Sequence, residues 1–144
     1  MAAPHGQHDR AVITVVNDAA AIERAEDRVV EALARFNYPR ASVFAVRLSL
    51  HEAMSNGFRH GHRSLPEDTP ISVKFDASDE HIEIVVEDQG PGFDPSAIPD
   101  PTLEENLERG SGRGLLLIRA YMTSAEYNQK GNVLRMTYRR PAGT

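Results

Sequence analysis

Cysteine is absent from the 144 residues of the chain. Its absence excludes disulfide bonds, thiolate nucleophiles and zinc sites with cysteine ligands. Long hydrophobic runs are missing too, because no stretch approaches the roughly 18 apolar residues that span a membrane. The polar residues 1–10 also lack the apolar core of a signal peptide. We therefore expect a cytoplasmic chain without a membrane partner.

Excess positive charge is also missing. The chain has 16 Lys and Arg against 21 Asp and Glu, which gives a formal net charge of -5 at pH 7. A surface that follows a nucleic-acid backbone needs the opposite balance, so we expect no nucleic-acid partner. The length and the 40% share of hydrophobic residues fit one globular domain with a single core.

Changes in sequence pattern divide the chain into three parts. Residues 1–10 have no periodicity and are predicted to form a disordered leader. Residues 11–140 carry all the periodic segments and are predicted to form one domain, and residues 141–144 form a tail. No internal repeat is visible in the sequence.

The first half of the domain contains one strand signal and two helix signals. The β-branched run Ala11–Val16 predicts a strand, and Asp18 is a suitable cap for the helix that follows. That helix is expected to end before Pro39, because proline disfavours the helical conformation of the residue before it. A second helix is predicted from Ser42 to His60.

The second half alternates in a way that is typical of strands. Ile71–Phe75 and Ile82–Val86 place apolar side chains on one face and polar ones on the other. Gly114–Tyr121 has helical spacing, while Thr123–Gln129 and Asn132–Arg139 predict a hairpin. The order of elements predicts an α+β fold, a two-layer sandwich with helices on one face of a mixed, mostly antiparallel sheet.

Glu52 and Asn56 are the first candidate site residues. They are four apart on the predicted second helix and therefore lie one above the other on the same face. A solvated helix face is the alternative explanation for such a pair. Gly57 favours a site, because a glycine inside a helix costs about 1 kcal/mol relative to alanine and suits a backbone that something approaches closely.

Asp88 is the second candidate. Its position continues the buried alternation of Ile82, Ile84 and Val86, and an unpaired buried carboxylate is too costly to keep without a partner. One alternative is structural, in which Asp88 caps the turn Gln89–Gly92 through backbone amides. The functional alternative is that Asp88 accepts a hydrogen bond from the exocyclic amine of adenine.

The glycine-rich stretch Gly110–Gly114 is the third candidate. It precedes a predicted helix, whose first backbone amides and positive dipole end suit a phosphate group. A flexible loop with a helix cap is the alternative. The stretch is neither a Walker loop nor a dinucleotide fingerprint, because no Gly-Lys-Ser/Thr follows it and no strand-turn-helix precedes it.

Three motifs therefore occur in order: EAMSNGFRHG at 52–61, DQGPGF at 88–93 and GSGRGL at 110–115. Together they resemble the Bergerat-type ATP site of type II topoisomerases, heat-shock chaperones, mismatch-repair ATPases and sensor histidine kinases. The short length and the Glu-x-x-x-Asn-x-x-x-His-Gly box are similar to those of the anti-sigma-factor serine kinases. The resemblance covers residues 11–139. Each motif alone is moderately specific, and the three motifs in this order and at these spacings are strong evidence for the resemblance.

The resemblance implies a role for each motif. Asn56 would bind Mg²⁺ at the ATP phosphates, and Glu52 would be the general base for a serine hydroxyl of a protein substrate. Asp88 would recognise adenine, and residues 93–109 would form a lid over the nucleotide. The full set of implied nucleotide-binding residues is Asn56, His60, Asp88, Gly90, Gly92, Phe93, Arg109, Gly110, Ser111, Gly112, Arg113, Gly114 and Leu115.

Two positions depart from the family pattern. Gly57 replaces the alanine that usually follows the asparagine, and one extra glycine follows Arg109, the counterpart of an arginine that these kinases place near the terminal phosphate. Neither departure removes a catalytic residue type.

The resemblance also implies partners. We expect an ATP- and Mg²⁺-dependent serine/threonine kinase that phosphorylates a STAS-domain anti-anti-sigma protein and sequesters a sigma factor or an equivalent target. A homodimer is implied too, with Val12–Val16 and the sheet as candidate surfaces. The alternative is an ATP-dependent binding switch without kinase activity. A histidine-kinase catalytic domain is less favoured, because it needs a preceding two-helix segment and only residues 1–40 lie upstream of the Asn56 helix.

Overall fold

The computed structural model describes residues 6–62, 64–91 and 111–142. Within these ranges the elements are β1 (Asp9–Val15), α1 (Ala19–Arg35), α2 (Arg40–Asn56), a π-helical turn (Gly57–Gly61), β2 (Ile71–Ala77), β3 (His81–Glu87), α3 (Ser111–Tyr121), β4 (Ser124–Tyr127) and β5 (Val133–Arg139). None of the helices in this described part has the length and apolar character that a membrane span requires.

The first strand and the first helix meet at Asp18. Its side chain accepts hydrogen bonds from the backbone N of Ala20 at 2.8 Å and of Ala21 at 3.2 Å, as predicted for a helix cap. β1 begins at Asp9, before the expected start at Ala11. The last two residues of the expected leader are therefore part of the sheet.

The end of α1 is set by Asn37, which adopts a left-handed conformation with a φ of 58°. The backbone N of Asn37 donates to Ala34 O and that of Tyr38 donates to Leu33 O, both at 3.0 Å, which closes the helix end. The predicted position of this helix end is confirmed, but the left-handed Asn37 ends the helix and Pro39 does not. Pro39 instead occupies the cap position at the start of α2.

The second predicted helix is regular only as far as Asn56. From Gly57 to Gly61 the chain forms a π-helical turn, a wider turn that frequently occurs at functional sites. The expected α-helix end at His60 is therefore wrong, because His60 lies inside this turn. The buried face of α2 consists of Ser42, Ala45, Val46, Ser49, Leu50, Ala53, Met54 and Asn56.

The strands form one sheet in the order β1-β2-β3-β5-β4, with β1 and β4 at its edges. All strand pairs within the described ranges are antiparallel, so the sheet is antiparallel rather than mixed. The hairpin of β4 and β5 is confirmed. The predicted α+β sandwich is confirmed as well, and its helices pack on one face of this sheet.

The core lies between that sheet face and the helices. Alternate residues of the central strands point into it, as the period of two predicts. α1 and the segment after it add Val29, Leu33 and Phe36, each with no solvent exposure. The buried residues of β2 and β3 are Ile71, Val73, Phe75, Ala77, Ile82, Ile84 and Val86.

A largely buried ion pair joins the edge strand β1 to α1. Arg28 donates from its two terminal nitrogens to both carboxylate oxygens of Asp9, at 3.0 and 2.7 Å. These bonds hold the pKa of Asp9 below its usual value, although burial alone would raise it. The Arg28 guanidinium also lies 5.0 Å from the ring centroid of Phe75, which ties the pair to the core.

Candidate functional site

The C-terminal end of α2 carries the first two predicted site residues. Glu52 is half-buried, and Asn56, one helical turn later, is 9% exposed. Asn56 is the last residue of α2, and its side chain makes no capping hydrogen bond to the described turn that follows. Its amide group is therefore not used to terminate the helix.

The first turn of α3 lies directly against Asn56. A Cβ atom added to Gly114 would stand 2.7 Å from Asn56 Nδ2 and 3.0 Å from Asn56 Oδ1. A side chain at position 114 would therefore force the Asn56 amide group to move. Two motifs that are distant in sequence are thus in contact.

The glycine-rich stretch has a different conformation from the expected one. α3 begins at Ser111, so Gly112 and Gly114 belong to its first turn rather than to a loop before a helix at Leu115. The first backbone amides of a helix have no partner within that helix, and they suit an anion. Next to the Asn56 amide, they give this end of the site the character of a phosphate-binding region.

The π-helical turn brings Gly61 against Asp88. A Cβ atom added to Gly61 would stand 2.6 Å from each carboxylate oxygen of Asp88, and one added to Gly90 would collide with the Gly61 carbonyl. A Cβ atom on Gly57 would make only ordinary contacts, at 3.5 Å to Ile71 and 3.6 Å to Asp88. The close approach expected at Gly57 is therefore found at Gly61 instead.

Asp88 follows β3 and is half-buried rather than fully buried. Its Oδ1 accepts a hydrogen bond from the backbone N of Gly90 at 2.8 Å, so the capping role that the sequence left open is present. Burial raises the pKa of Asp88, while the Gly90 amide and the nearby His62 oppose that rise. A carboxylate offers about four acceptor positions, so the cap leaves acceptor capacity for a ligand.

A buried asparagine in the turn between β4 and β5 holds Asp88. The backbone O of Asn132 accepts from Asp88 N at 2.9 Å, and Asn132 Nδ2 donates to Asp88 O at 3.2 Å. Asn128 Oδ1 shapes this loop by accepting from Gly131 N and Asn132 N at 2.8 and 3.1 Å. Asn132 was not predicted as a site residue, although the asparagines and glycine of the hairpin turn are the signal of such a structured loop.

His62 fixes the residue after Asp88. Its Nε2 accepts a hydrogen bond from the backbone N of Gln89 at 2.8 Å, and its ring meets Phe58 edge-on with centroids 5.8 Å apart. His62 was not predicted as a site residue, since a single histidine carries no distinguishing pattern.

The other predicted site residues fall into two groups. His60 is half-buried in the π-helical turn, and Leu115 is buried in α3.

No group of three His, Cys, Asp or Glu that could hold a metal ion occurs in residues 6–62, 64–91 and 111–142. The predicted residues outside the described ones are Gly92, Phe93, Arg109, Gly110 and the rest of the lid, together with the side chains of Ser111 and Arg113.

Comparisons with known proteins identify the family to which the chain is similar. A family model for the histidine kinase-like ATPase domain matches residues 15–138. The serine-protein kinase RsbW of Oceanobacillus iheyensis is 31% identical over 108 residues, which cover 71% of this chain and 68% of that protein. The RsbW of Staphylococcus epidermidis is 30% identical over 97 residues, or 62% of this chain and 61% of that protein. The chain therefore spans about two thirds of these relatives.

Two solved structures share the fold. A chain of the SiaB-SiaC complex from Pseudomonas aeruginosa matches with a TM-score of 0.64 at 15% identity, covering 90% of this chain and 88% of that one. The RsbU and RsbW domains of Rv1364c from Mycobacterium tuberculosis match with a TM-score of 0.61 at 18% identity, covering 93% of this chain and 33% of that one. From the family match and the RsbW relatives, the chain belongs to the histidine kinase-like ATPase domain family and, within it, to the RsbW-like ATPases.

Proposed function

We propose that the chain binds ATP with Mg²⁺ where α2, the π-helical turn, β3 and α3 meet. The observation that carries this proposal is the pair of glycine contacts, Gly61 on Asp88 and Gly114 on Asn56. They unite segments from three parts of the sequence and leave two chemically different ends. One end has a carboxylate for the adenine amine, and the other has helix amides and an amide oxygen for phosphates and metal.

The described residues fit a magnesium nucleotide. Mg²⁺ is usually bound by one or two protein oxygens together with substrate phosphates and waters. Asn56 would supply the protein oxygen, and the first turn of α3 would supply backbone amides to phosphate oxygens. When bound, Mg²⁺ would neutralise charge that develops on the transferring phosphoryl group.

We infer that Glu52 is the general base of a protein kinase reaction. Glu52 lies one helical turn before Asn56 on α2, and its half-exposed side chain can receive a hydroxyl group. It would accept the proton of a serine hydroxyl as the serine oxygen bonds to the terminal phosphorus. The bond to the bridging oxygen breaks, and ADP leaves with its electron pair.

A STAS-domain anti-anti-sigma protein is the proposed substrate, and a sigma factor or an equivalent regulator is the proposed sequestered target. The support comes from relatives named serine-protein kinase RsbW and from a structural neighbour solved as the SiaB-SiaC complex. Because such a kinase needs ATP, residence in the cytoplasm is part of the proposal. An ATP-dependent binding switch without phosphoryl transfer is the competing function.

The substitution Asp88→Asn separates stability from nucleotide recognition. Since the pKa of Asp88 is raised in the folded chain, the ionised carboxylate destabilises the fold at neutral pH, and this cost disappears below the unfolded value of about 3.9. Urea unfolding should therefore find Asp88→Asn more stable than wild type at pH 7, with a difference that shrinks as the pH approaches 3.5.

The same variant, Asp88→Asn, should bind ATP more weakly than wild type. Gly90 N keeps the asparagine Oδ1 as its acceptor, so Nδ2 faces the adenine amine and two donors oppose each other. We expect at least about tenfold weaker ATP binding by calorimetry, since a hydrogen bond to a charged group contributes roughly 1.5–3 kcal/mol. Glu87→Gln, at an exposed carboxylate of β3, is the matched control and should bind as wild type. Equal ATP affinity of wild type and Asp88→Asn would refute the adenine assignment.

Glu52→Gln tests the base. Incubation with ATP-Mg²⁺ and the STAS-domain proteins of the source genome should give phosphoserine with wild type. With Glu52→Gln the rate should fall about 10²–10⁴-fold, the usual contribution of a general base, at unchanged ATP affinity. Glu23→Gln, at an exposed glutamate of α1, should retain the wild-type rate. Complex formation without phosphoserine in wild type would favour the binding switch.

A homodimer through β1 is also proposed. β1 is an edge strand of seven residues, and Val12 on it is 68% exposed. Exposed apolar edge strands pair readily with another chain, and a charge on the edge prevents this. Sedimentation equilibrium should give a dimer for wild type and for Leu116→Lys, and a monomer for Val12→Lys. A monomeric wild type would contradict the dimer.

A further inference from the structure

The outer sides of α2 and α3 share an exposed apolar surface. Phe44 is 57% exposed and Tyr121 is 41% exposed, and their rings meet edge-on with centroids 5.7 Å apart. Leu48 lies one turn after Phe44 on α2, and Leu117 lies one turn before Tyr121 on α3. These four residues are called the α2-α3 surface below. Leu48 is partly buried and the other three are exposed. Contiguous apolar surface of this kind marks interaction sites.

A small pocket adjoins the α2-α3 surface. Its volume is about 270 Å³, and it is lined by Glu26, Val43, Phe44, Arg47, Leu48 and His51. The buried Glu26 carboxylate is already bonded by Arg47 Nε at 3.2 Å and by His51 Nδ1 at 2.8 Å. Its charge is therefore compensated within the protein. The apolar walls of the pocket, formed by Val43, Phe44 and Leu48, can contact an apolar side chain of a partner.

The same helix connects this surface to Glu52. Leu48 precedes Glu52 by four residues and Phe44 precedes it by eight, which along an α-helix corresponds to about 6 and 12 Å. A standard protein interface covers about 800 Å² on each partner, which is a disc with a radius of about 16 Å. The α2-α3 surface therefore lies within the footprint of a protein whose hydroxyl reaches Glu52.

We propose that the α2-α3 surface is the docking site for the protein substrate, which places an apolar anchor side chain in the adjoining pocket while its hydroxyl reaches Glu52. The proposal rests on the proposed kinase function. Exposed aromatic residues with an arginine at the rim, here Phe44, Tyr121 and Arg47, have the composition of interface hot spots. A second copy of this chain is not the occupant, because a dimer at this surface would cover Glu52 and exclude the substrate.

Steady-state kinetics of three alanine variants test the docking site. The probe is the STAS-domain protein that wild type phosphorylates. Phe44→Ala and Leu117→Ala should each raise KM for this protein at least about tenfold, with kcat and ATP affinity unchanged, because uniform substrate binding is lost. Leu116→Ala is the matched control, since Leu116 is 40% exposed and Leu117 is 39% exposed. Successive helix residues point about 100° apart, so the Leu116 side chain lies on a different side of α3 from that of Leu117.

The outcomes separate this proposal from the kinase proposal. Phosphorylation by wild type with an unchanged KM in Phe44→Ala overturns the docking site and leaves the kinase standing. If wild type binds a STAS-domain protein without transferring phosphate, the dissociation constants of Phe44→Ala and Leu117→Ala for that protein test the docking site. Values equal to that of wild type overturn it. If wild type neither phosphorylates nor binds any such protein, both proposals are overturned. An equal increase of KM in Leu116→Ala also contradicts a surface centred on Phe44.

Discussion

The contact between the Gly61 backbone and the Asp88 carboxylate is the constraint on which the rest of the candidate site depends. A side chain at position 61 would meet both carboxylate oxygens and would force the Asp88 carboxylate to move. The π-helical turn delivers this glycine to the end of β3. From the other side, Asn132 and the His62–Gln89 hydrogen bond hold the backbone around Asp88. One carboxylate is thus positioned from several directions.

That carboxylate is kept in surroundings that favour its neutral form. Burial raises the pKa of Asp88, and only part of this effect is offset by the Gly90 amide. A purely structural cap of the turn could be an asparagine without this cost. A partly buried acceptor with a raised pKa is typical of sites that sacrifice some stability for binding. The second glycine contact, Gly114 on Asn56, completes the same region with groups suited to phosphate.

Hydrophobic periodicity predicted the strands, the helices and their layering, because buried and exposed positions alternate with the period of each element. It also placed Asp88 close to the core. It could not locate the π-helical turn, since one wider turn changes which residues meet without changing composition. A close approach to the helix backbone was therefore predicted at Gly57, whereas the structure has it at Gly61, against the Asp88 carboxylate. Asn132 and His62 were missed because their roles arise from contacts with residues that are distant in sequence.

The most direct test of the nucleotide site is to follow the backbone amide signals of the glycines by NMR while ATP-Mg²⁺ is added to the labelled chain. The account predicts the largest shifts at Gly61, Gly90 and Gly114, which line the two contacts, and little change at Gly131 in the β4-β5 turn. Shifts that leave these three glycines unaffected at saturating ATP, or the absence of any shift, would contradict it.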